Sequence, residues 1–142
     1  MSIWFKDYTL DELQKTRDTP TLATFLGMEF TELGPDYIVG TLPVDEKTKQ
    51  IHGILHGGAT CVLTETLGSV ASLLVVNPDT QRAVGSVITT NHLRPTSEGK
   101  VTAICRPIHI GNSKHVWDIK VYNDTGKLTA TTELTCAVIE KR

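Results

Sequence analysis

The residues able to do chemistry cluster in one stretch, "KQIHGILHGGATCVLTETLGS", running from Lys49 to Ser69. Glu65 is the only formally charged side chain between Lys49 and Asp79, and its neighbours Val62, Leu63, Leu67 and Val70 are apolar. A bare carboxylate in such company is costly. Apolar enclosure also raises its pKa and basicity, which is how a side chain becomes a general base or a nucleophile. Ser69 lies four residues on, one turn along the same helical face, where a hydroxyl could hold a water or bond the acid.

Upstream stands "HGG", His56 to Gly58. Glycines at a helix start let a ligand approach the bare backbone. The first N–H groups of a helix lack internal partners and sit at the positive end of its dipole. They suit an anion, or a carbonyl oxygen that gains charge during acyl transfer. The imidazole of His56 and the amide of Gln50 add polar groups beside them. Gly57 and Glu65, however, are eight residues apart, about 12 Å along a helix axis. That span is too long for one helix to aim both at one carbonyl carbon. Two antiparallel copies from two subunits would satisfy it, so the site is expected to be shared across a symmetric dimer.

Other chemistries find no support. The chain has no Gly-x-Ser-x-Gly elbow, no Gly-x-x-x-x-Gly-Lys phosphate loop and no Gly-x-Gly-x-x-Gly fingerprint. His52 and His56 have four-residue spacing, but no acid lies between them and the segment reads as loop, so no metal site is expected. Cys61, Cys105 and Cys136 are odd in number and far apart. They make neither a disulfide framework nor a Cys-x-x-Cys pair, and their apolar settings predict free buried thiols.

The elements that must hold these residues follow from periodicity. "TLDE", Thr9 to Glu12, has capping-box spacing and starts a short helix; a second helical turn covers Thr21 to Phe25. "MEFTEL" and "YIVGTLPV" alternate at period two around the turn "GPD", which predicts two strands. After the polar loop "DEKTKQIHGIL" comes a helix from Gly57 to about Val76, ended by Asn77-Pro78. Its apolar stripe is Ala59, Val62, Leu63, Leu67, Val70, Ala71 and Leu74, and its other face is only mildly polar, so it should be enclosed on most sides. Four strands follow, at about Ala83–His92, Lys100–His109, His115–Tyr122 and Lys127–Ile139, joined by short turns that imply an antiparallel sheet. Six strands and one long central helix give an α+β fold, a sheet curled around the helix.

At 142 residues, 39% hydrophobic and 21% charged, the chain is expected to be one soluble domain over residues 1–142, with residues 1–27 forming the short N-terminal helices. No stretch of 18 uninterrupted apolar residues suggests a membrane span. The start, "MSIWFKDYTLDELQK", has too short an apolar run for a signal peptide, which makes the cytoplasm the expected compartment. A formal net charge of -2 argues against general nucleic-acid binding. Locally, residues 91–120 carry five bases (Arg94, Lys100, Arg106, Lys114, Lys120) against two acids, enough for a site that receives an anionic small molecule.

"TKQIHGILHGGATCVLTETLGSVAS", with "NHLRPTSEGKV", "RPIHIGNSKHVWDIKVYNDTGKL" and "LTCAVIE" in the same order, resembles the hotdog-fold acyl-CoA thioesterases. Within them it is similar to the bacterial branch that holds the menaquinone-pathway dihydroxynaphthoyl-CoA thioesterase and the enterobactin proofreading thioesterase. The resemblance runs from about Ile3 to Glu140. It implies a hotdog sheet, a homodimer with a continuous sheet and shared sites, and a dimer of dimers. It further implies hydrolysis of acyl-CoA, with aromatic acyl groups favoured, and no cofactor, coenzyme A being part of the substrate; an acyl- or aryl-carrier protein is the other candidate partner. Glu65 matches the catalytic carboxylate, acting as nucleophile or as general base on water, and Gly57 the backbone N–H that polarises the thioester carbonyl. His56 and Gln50 match residues that orient that carbonyl, and Ser69 a helper near the water. Gly85, the run His92, Leu93, Arg94, Pro95, and the turn His109, Ile110, Gly111, Asn112, Ser113, Lys114 match substrate and coenzyme A contacts. Two other readings stand beside it: a hotdog dehydratase or hydratase, which needs an acid/base pair at the alpha and beta carbons, and a non-catalytic acyl-CoA-binding protein.

Overall fold

The computed structural model describes all residues, Met1–Arg142. Two short helices lead the chain, α1 (Leu10–Lys15) and α2 (Leu22–Phe25), with a 3₁₀ turn over Thr16–Asp18 between them. Thr9 caps α1 through the expected box with Glu12, and Thr21 caps α2 through an equivalent reciprocal pair with Thr24. Strands β1 (Glu29–Leu33) and β2 (Ile38–Pro43) come next. Helix α3 (Gly57–Val75) follows, and then β3 (Gln81–His92), β4 (Lys100–Ile110), β5 (Lys114–Asn123) and β6 (Leu128–Glu140). Helix α3 ends one residue before the expected Val76, which is its C-cap. The turn expected over His109–Lys114 is tighter than it reads, because β4 continues through Ile110 and β5 already begins at Lys114.

All six strands join one antiparallel sheet in the order β1-β2-β4-β5-β6-β3, so β1 and β3 are its free edges. The sheet curls round α3, which is the hotdog arrangement. Alternate residues of the strands face the helix: Val101, Ala103 and Cys105 on β4, Trp117, Ile119 and Val121 on β5, Leu134 and Cys136 on β6, all fully buried. Leu63, Leu67 and Ala71 of α3 meet them, also fully buried, and each leucine adds roughly 1.5–3 kcal/mol on burial. Gly68 permits the close approach, since a Cβ there would lie 2.4 Å from Leu134 Cδ2.

The buried face of α3 differs from the expected apolar stripe. Thr60, Thr64, Gly68 and Ser72 form an i, i+4 row that is buried against the sheet, whereas Val62 and Val70 are half-buried. The hydroxyls tolerate burial because they are partnered. Thr132 Oγ1 donates to Thr64 Oγ1 at 3.1 Å and lies 2.8 Å from Thr90 Oγ1. Ser72 Oγ accepts from Trp117 Nε1 at 2.7 Å and sits 3.0 Å from His115 Nδ1. The N-terminal segment closes the far end of α3: Phe5 N–H donates to the Leu74 carbonyl at 2.7 Å, and Trp4 stacks on Trp117 with centroids 6.5 Å apart. By length and composition alone α3 could cross a membrane; its position inside the sheet is that of a core helix.

Candidate active site

Helix α3 carries the candidate residues on its N-terminal end and one flank. His56 is the N-cap, and its Nδ1 accepts the Gly58 N–H at 2.8 Å. A ring nitrogen that accepts carries no proton, so the neutral ring holds its proton on Nε2 and offers a donor there. The N–H groups of Ala59 and Thr60 bond back to the His56 carbonyl. Gly57 N–H is left without an intramolecular partner, at the positive end of a 19-residue helix. The ring of His92, at the end of β3, lies against Gly57, where a Cβ would come 3.0 Å from its Nε2.

This N-terminal end opens into a cavity of about 470 Å³ that holds Gln50, Gly57, His92, Leu93, Arg94 and Pro95 together. Six expected residues thus converge there from three separate stretches of chain. Gln50 reaches it from the loop before α3, whose backbone is fixed by Gln50 N–H to the Ile54 carbonyl at 2.9 Å; its side-chain oxygen accepts from His52 N–H. Arg94 is anchored through its own N–H to the Thr129 carbonyl at 3.2 Å, leaving its guanidinium exposed. Thr96 lines the same cavity with a buried hydroxyl that has no hydrogen-bond partner.

Glu65 lies elsewhere. It shares a second cavity, of about 500 Å³, with Gly58, Cys61, Ser69 and the α2 residues Leu22 and Ala23. Its carboxylate rests over Gly85 of β3, where a Cβ would stand 3.0 Å from Oε2. Gly85 therefore joins Glu65 rather than the first cavity. The neighbouring Cys136, paired with Gly85 in the sheet, has its thiol pKa pushed up by burial and further by the Glu65 charge, against hydrogen bonds from Ser72 and Ser69 that lower it.

Three expectations change. Glu65 is exposed within one protomer, not enclosed; the stripe it interrupts points along the flank of α3, where only the short α2 faces it across an open cavity. Ser69 shares its cavity but makes no hydrogen bond to it. Cys61, expected to be buried, is half-buried and lines the cavity, with its thiol 3.5 Å from Thr90 Oγ1. Cys105 and Cys136 are free and buried, as their apolar settings predicted.

The turn His109–Lys114 is brought to neither cavity. It sits at the C-terminal end of α3, where Ile110, Gly111 and Asn112 line a smaller cavity of about 200 Å³ with Val75 and Val76. A 19-residue helix separates the two ends by about 28 Å. Sequence reasoning missed Leu22 and Ala23 beside Glu65, as well as the Thr64–Thr132–Thr90 chain beneath it. The row Thr60, Thr64, Gly68, Ser72 was the available signal for that chain, a line of small and hydroxylated residues at i+4 spacing.

The arrangement offers acyl-transfer parts: a carboxylate over bare backbone, an unpartnered amide hydrogen at a helix start, and a neighbouring imidazole donor. Known proteins resemble this chain in sequence and in fold. The sequence description of the thioesterase superfamily matches residues 52–130. The proofreading thioesterase EntH of Cronobacter turicensis is 42% identical over 96% of this chain and 98% of its own. The 1,4-dihydroxy-2-naphthoyl-CoA hydrolase of Escherichia coli is 39% identical over 96% of this chain and 99% of its own. Among solved structures, a mutant of thioesterase PA1618 from Pseudomonas aeruginosa superposes with a TM-score of 0.95 at 38% identity, covering 99% of this chain and 100% of that one. The sheet curled on one helix and the match over more than half the chain lead to one assignment: this chain belongs to the thioesterase superfamily and is a hotdog-fold acyl-CoA thioester hydrolase.

Proposed function

We propose that the substrate is an acyl-CoA with an aromatic acyl group, hydrolysed to the free acid and coenzyme A in a site that two copies of the chain build together. The observation that carries this reading is the separation of Glu65 from the free Gly57 N–H, in different cavities of one protomer. Strand β3 supports the second copy. It is 12 residues long, its outer edge is unpaired, and Val84 and Val87 are 47% and 59% exposed. A long apolar edge is a surface that sheets normally cover. Pairing β3 with its twofold mate continues the sheet and turns the N-terminus of one α3 toward the Glu65 flank of the other. That mate also covers the side of Glu65 that its own chain leaves exposed. Two such dimers make the tetramer of this reading.

In the assembled site the thioester oxygen accepts the Gly57 N–H of one chain, with the His56 Nε2–H and the Gln50 amide at hand to orient it. Glu65 of the other chain then acts in one of two roles. As general base it draws a proton from water while the water oxygen bonds to the carbonyl carbon; as nucleophile it bonds to that carbon itself, and water hydrolyses the resulting anhydride. In the first role the C–S bond then breaks and the proton held by Glu65 passes to the sulfur; in the second the sulfur leaves as a thiolate when the anhydride forms, and a proton released as water hydrolyses the anhydride neutralises it. Both end in a free acid, a free thiol and the regenerated Glu65 carboxylate. Ser69, which lines the same cavity as Glu65, is the proposed holder of the water. Coenzyme A enters as part of the substrate, with Arg94 as a phosphate partner and the run His92–Pro95 as its contacts; the turn His109–Lys114, about 28 Å away at the other end of its own α3, contributes Lys114 and its neighbours only from another copy of the chain. The aromatic preference rests on the naphthoyl-CoA hydrolase among the relatives. The cytoplasm, where such thioesters and free cysteines coexist, is the compartment assigned.

Two measurements test the reading. Glu65→Gln should lower thiol release by about 10²–10⁴-fold, the worth of a positioned acid/base group, with folding unchanged because the side chain is exposed. Mixing Glu65→Gln with His56→Ala, each inactive alone, should restore about a quarter of wild-type activity, since random pairing makes half the dimers mixed and each mixed dimer holds one intact site. Near-normal turnover by Glu65→Gln overturns the assigned carboxylate, and no recovery on mixing overturns the shared site.

A further inference from the structure

We infer that the four-residue helix α2 sets the size of the acyl group, with Leu22 and Ala23 as specificity-determining residues. The inference rests on the reading of Glu65 as the reacting carboxylate. The thioester carbon must then come within about 3–3.5 Å of that group or of its water. Two substituents leave that carbon. The coenzyme A arm is long, polar and charged, and needs solvent and basic partners; the acyl group needs apolar walls. Beside Glu65 the chain offers one such space, the cavity of about 500 Å³ between α2 and α3, within the roughly 300–1,000 Å³ that encloses drug-sized ligands.

Its floor is the α3 flank, where Val62, Thr66 and Val70 recur at i, i+4, i+8 beside Glu65 and Ser69. Its opposite wall is α2 alone. Ala23 packs half-buried against the core and is fixed by its carbonyl, which accepts the Met28 N–H at 3.0 Å. Leu22 stands at the mouth, 62% exposed, although it lines the cavity. A large apolar side chain held open to solvent at a cavity mouth is a surface waiting for an apolar ligand. The Thr21–Thr24 reciprocal caps hold the helix in place despite its length, so the wall is defined. The small size of Ala23 is what leaves room for a ring. No other element of this chain faces the Glu65 flank across that gap.

The test compares kcat/KM for acetyl-, benzoyl- and naphthoyl-CoA in wild type, Ala23→Leu and Leu22→Phe. Both substitutions narrow the cavity. Naphthoyl-CoA should lose at least about tenfold, as one misfitting methylene in an apolar pocket costs roughly 10–200-fold, benzoyl-CoA less, and acetyl-CoA under about threefold. Leu22 is exposed, so Leu22→Phe folds even if Ala23→Leu does not, and acetyl-CoA turnover reports an intact enzyme. Unchanged acetyl-to-naphthoyl ratios in a folded variant overturn the inference, as does an equal loss on all three thioesters. If Glu65→Gln abolishes turnover while these ratios stay fixed, the α2 assignment alone fails. If Glu65→Gln stays active, the underlying reading fails with it.

Discussion

The contact between Glu65 and Gly85 permits a graded perturbation of the carboxylate without touching it. Gly85 has no positive φ, so alanine meets no backbone strain there, and replacing a strand glycine should leave stability unchanged or raise it by about 0.4–1 kcal/mol. The new Cβ, however, would stand 3.0 Å from Oε2, 3.5 Å from Cδ and 3.7 Å from Cγ of Glu65, so the carboxylate must give by a few tenths of an ångström. Misplacing a reacting group by about 1 Å costs about 10²-fold in rate; on a logarithmic scale, a shift of about 0.3–0.5 Å costs about fourfold to tenfold. Gly85→Val, with two further methyls, should approach about 100-fold by the same scale. Thiol release followed with a thiol-reactive dye gives kcat and KM, and the loss should fall mainly on kcat. Thermal melts provide the folding control. Wild-type kcat in both variants, with melts unshifted, would refute the link between the position of this carboxylate and the chemistry.

The hydroxyl chain under the site predicts a stability effect. Thr132→Val keeps the shape but removes the shared partner of Thr64 and Thr90, so a urea midpoint lowered by the equivalent of about 1–3 kcal/mol is expected; an unchanged midpoint would show that the chain is not stabilising. His115 predicts a pH effect. Burial lowers its pKa from the ordinary 6.5, and the charge of His109 lowers it further. The unfolded chain then binds the proton more readily, so stability is full above that ordinary value and falls as the pH drops from it toward the lowered native pKa. In His115→Gln, stability measured by denaturation should depend less on pH across that window; an equal slope would place the titration elsewhere.

What the sequence made legible is what a single chain settles by itself. Period-two runs and turn chemistry located all six strands, the capping box at Thr9 located α1, and the short helical turn before Gly27 located α2, because each is decided by contacts within a few residues. The i+4 row Thr60, Thr64, Gly68, Ser72 was open to view yet misread as the polar face. Its burial depends on partners in β3, β5 and β6, which lie far along the chain and carry no local signature. Leu22 and Ala23 escaped for the same reason, since only the folding of α2 back over α3 makes them neighbours of Glu65.

The misreading of Glu65 has a different origin. Its apolar surroundings in the sequence predicted enclosure, but the protomer leaves it exposed beside an uncovered strand edge. An acid inside an apolar stripe costs little while water reaches it and much once a wall closes over it. In the shared-site reading proposed above, the folded protomer avoids the desolvation of Glu65 and association would take it on, offset by burial of the exposed Val84 and Val87 of β3. Folding and activation of the carboxylate then become separate events, the second set by concentration. Dilution below the dimer dissociation constant should lower turnover per chain while leaving each protomer folded, which is the behaviour that separates a shared site from a merely exposed one.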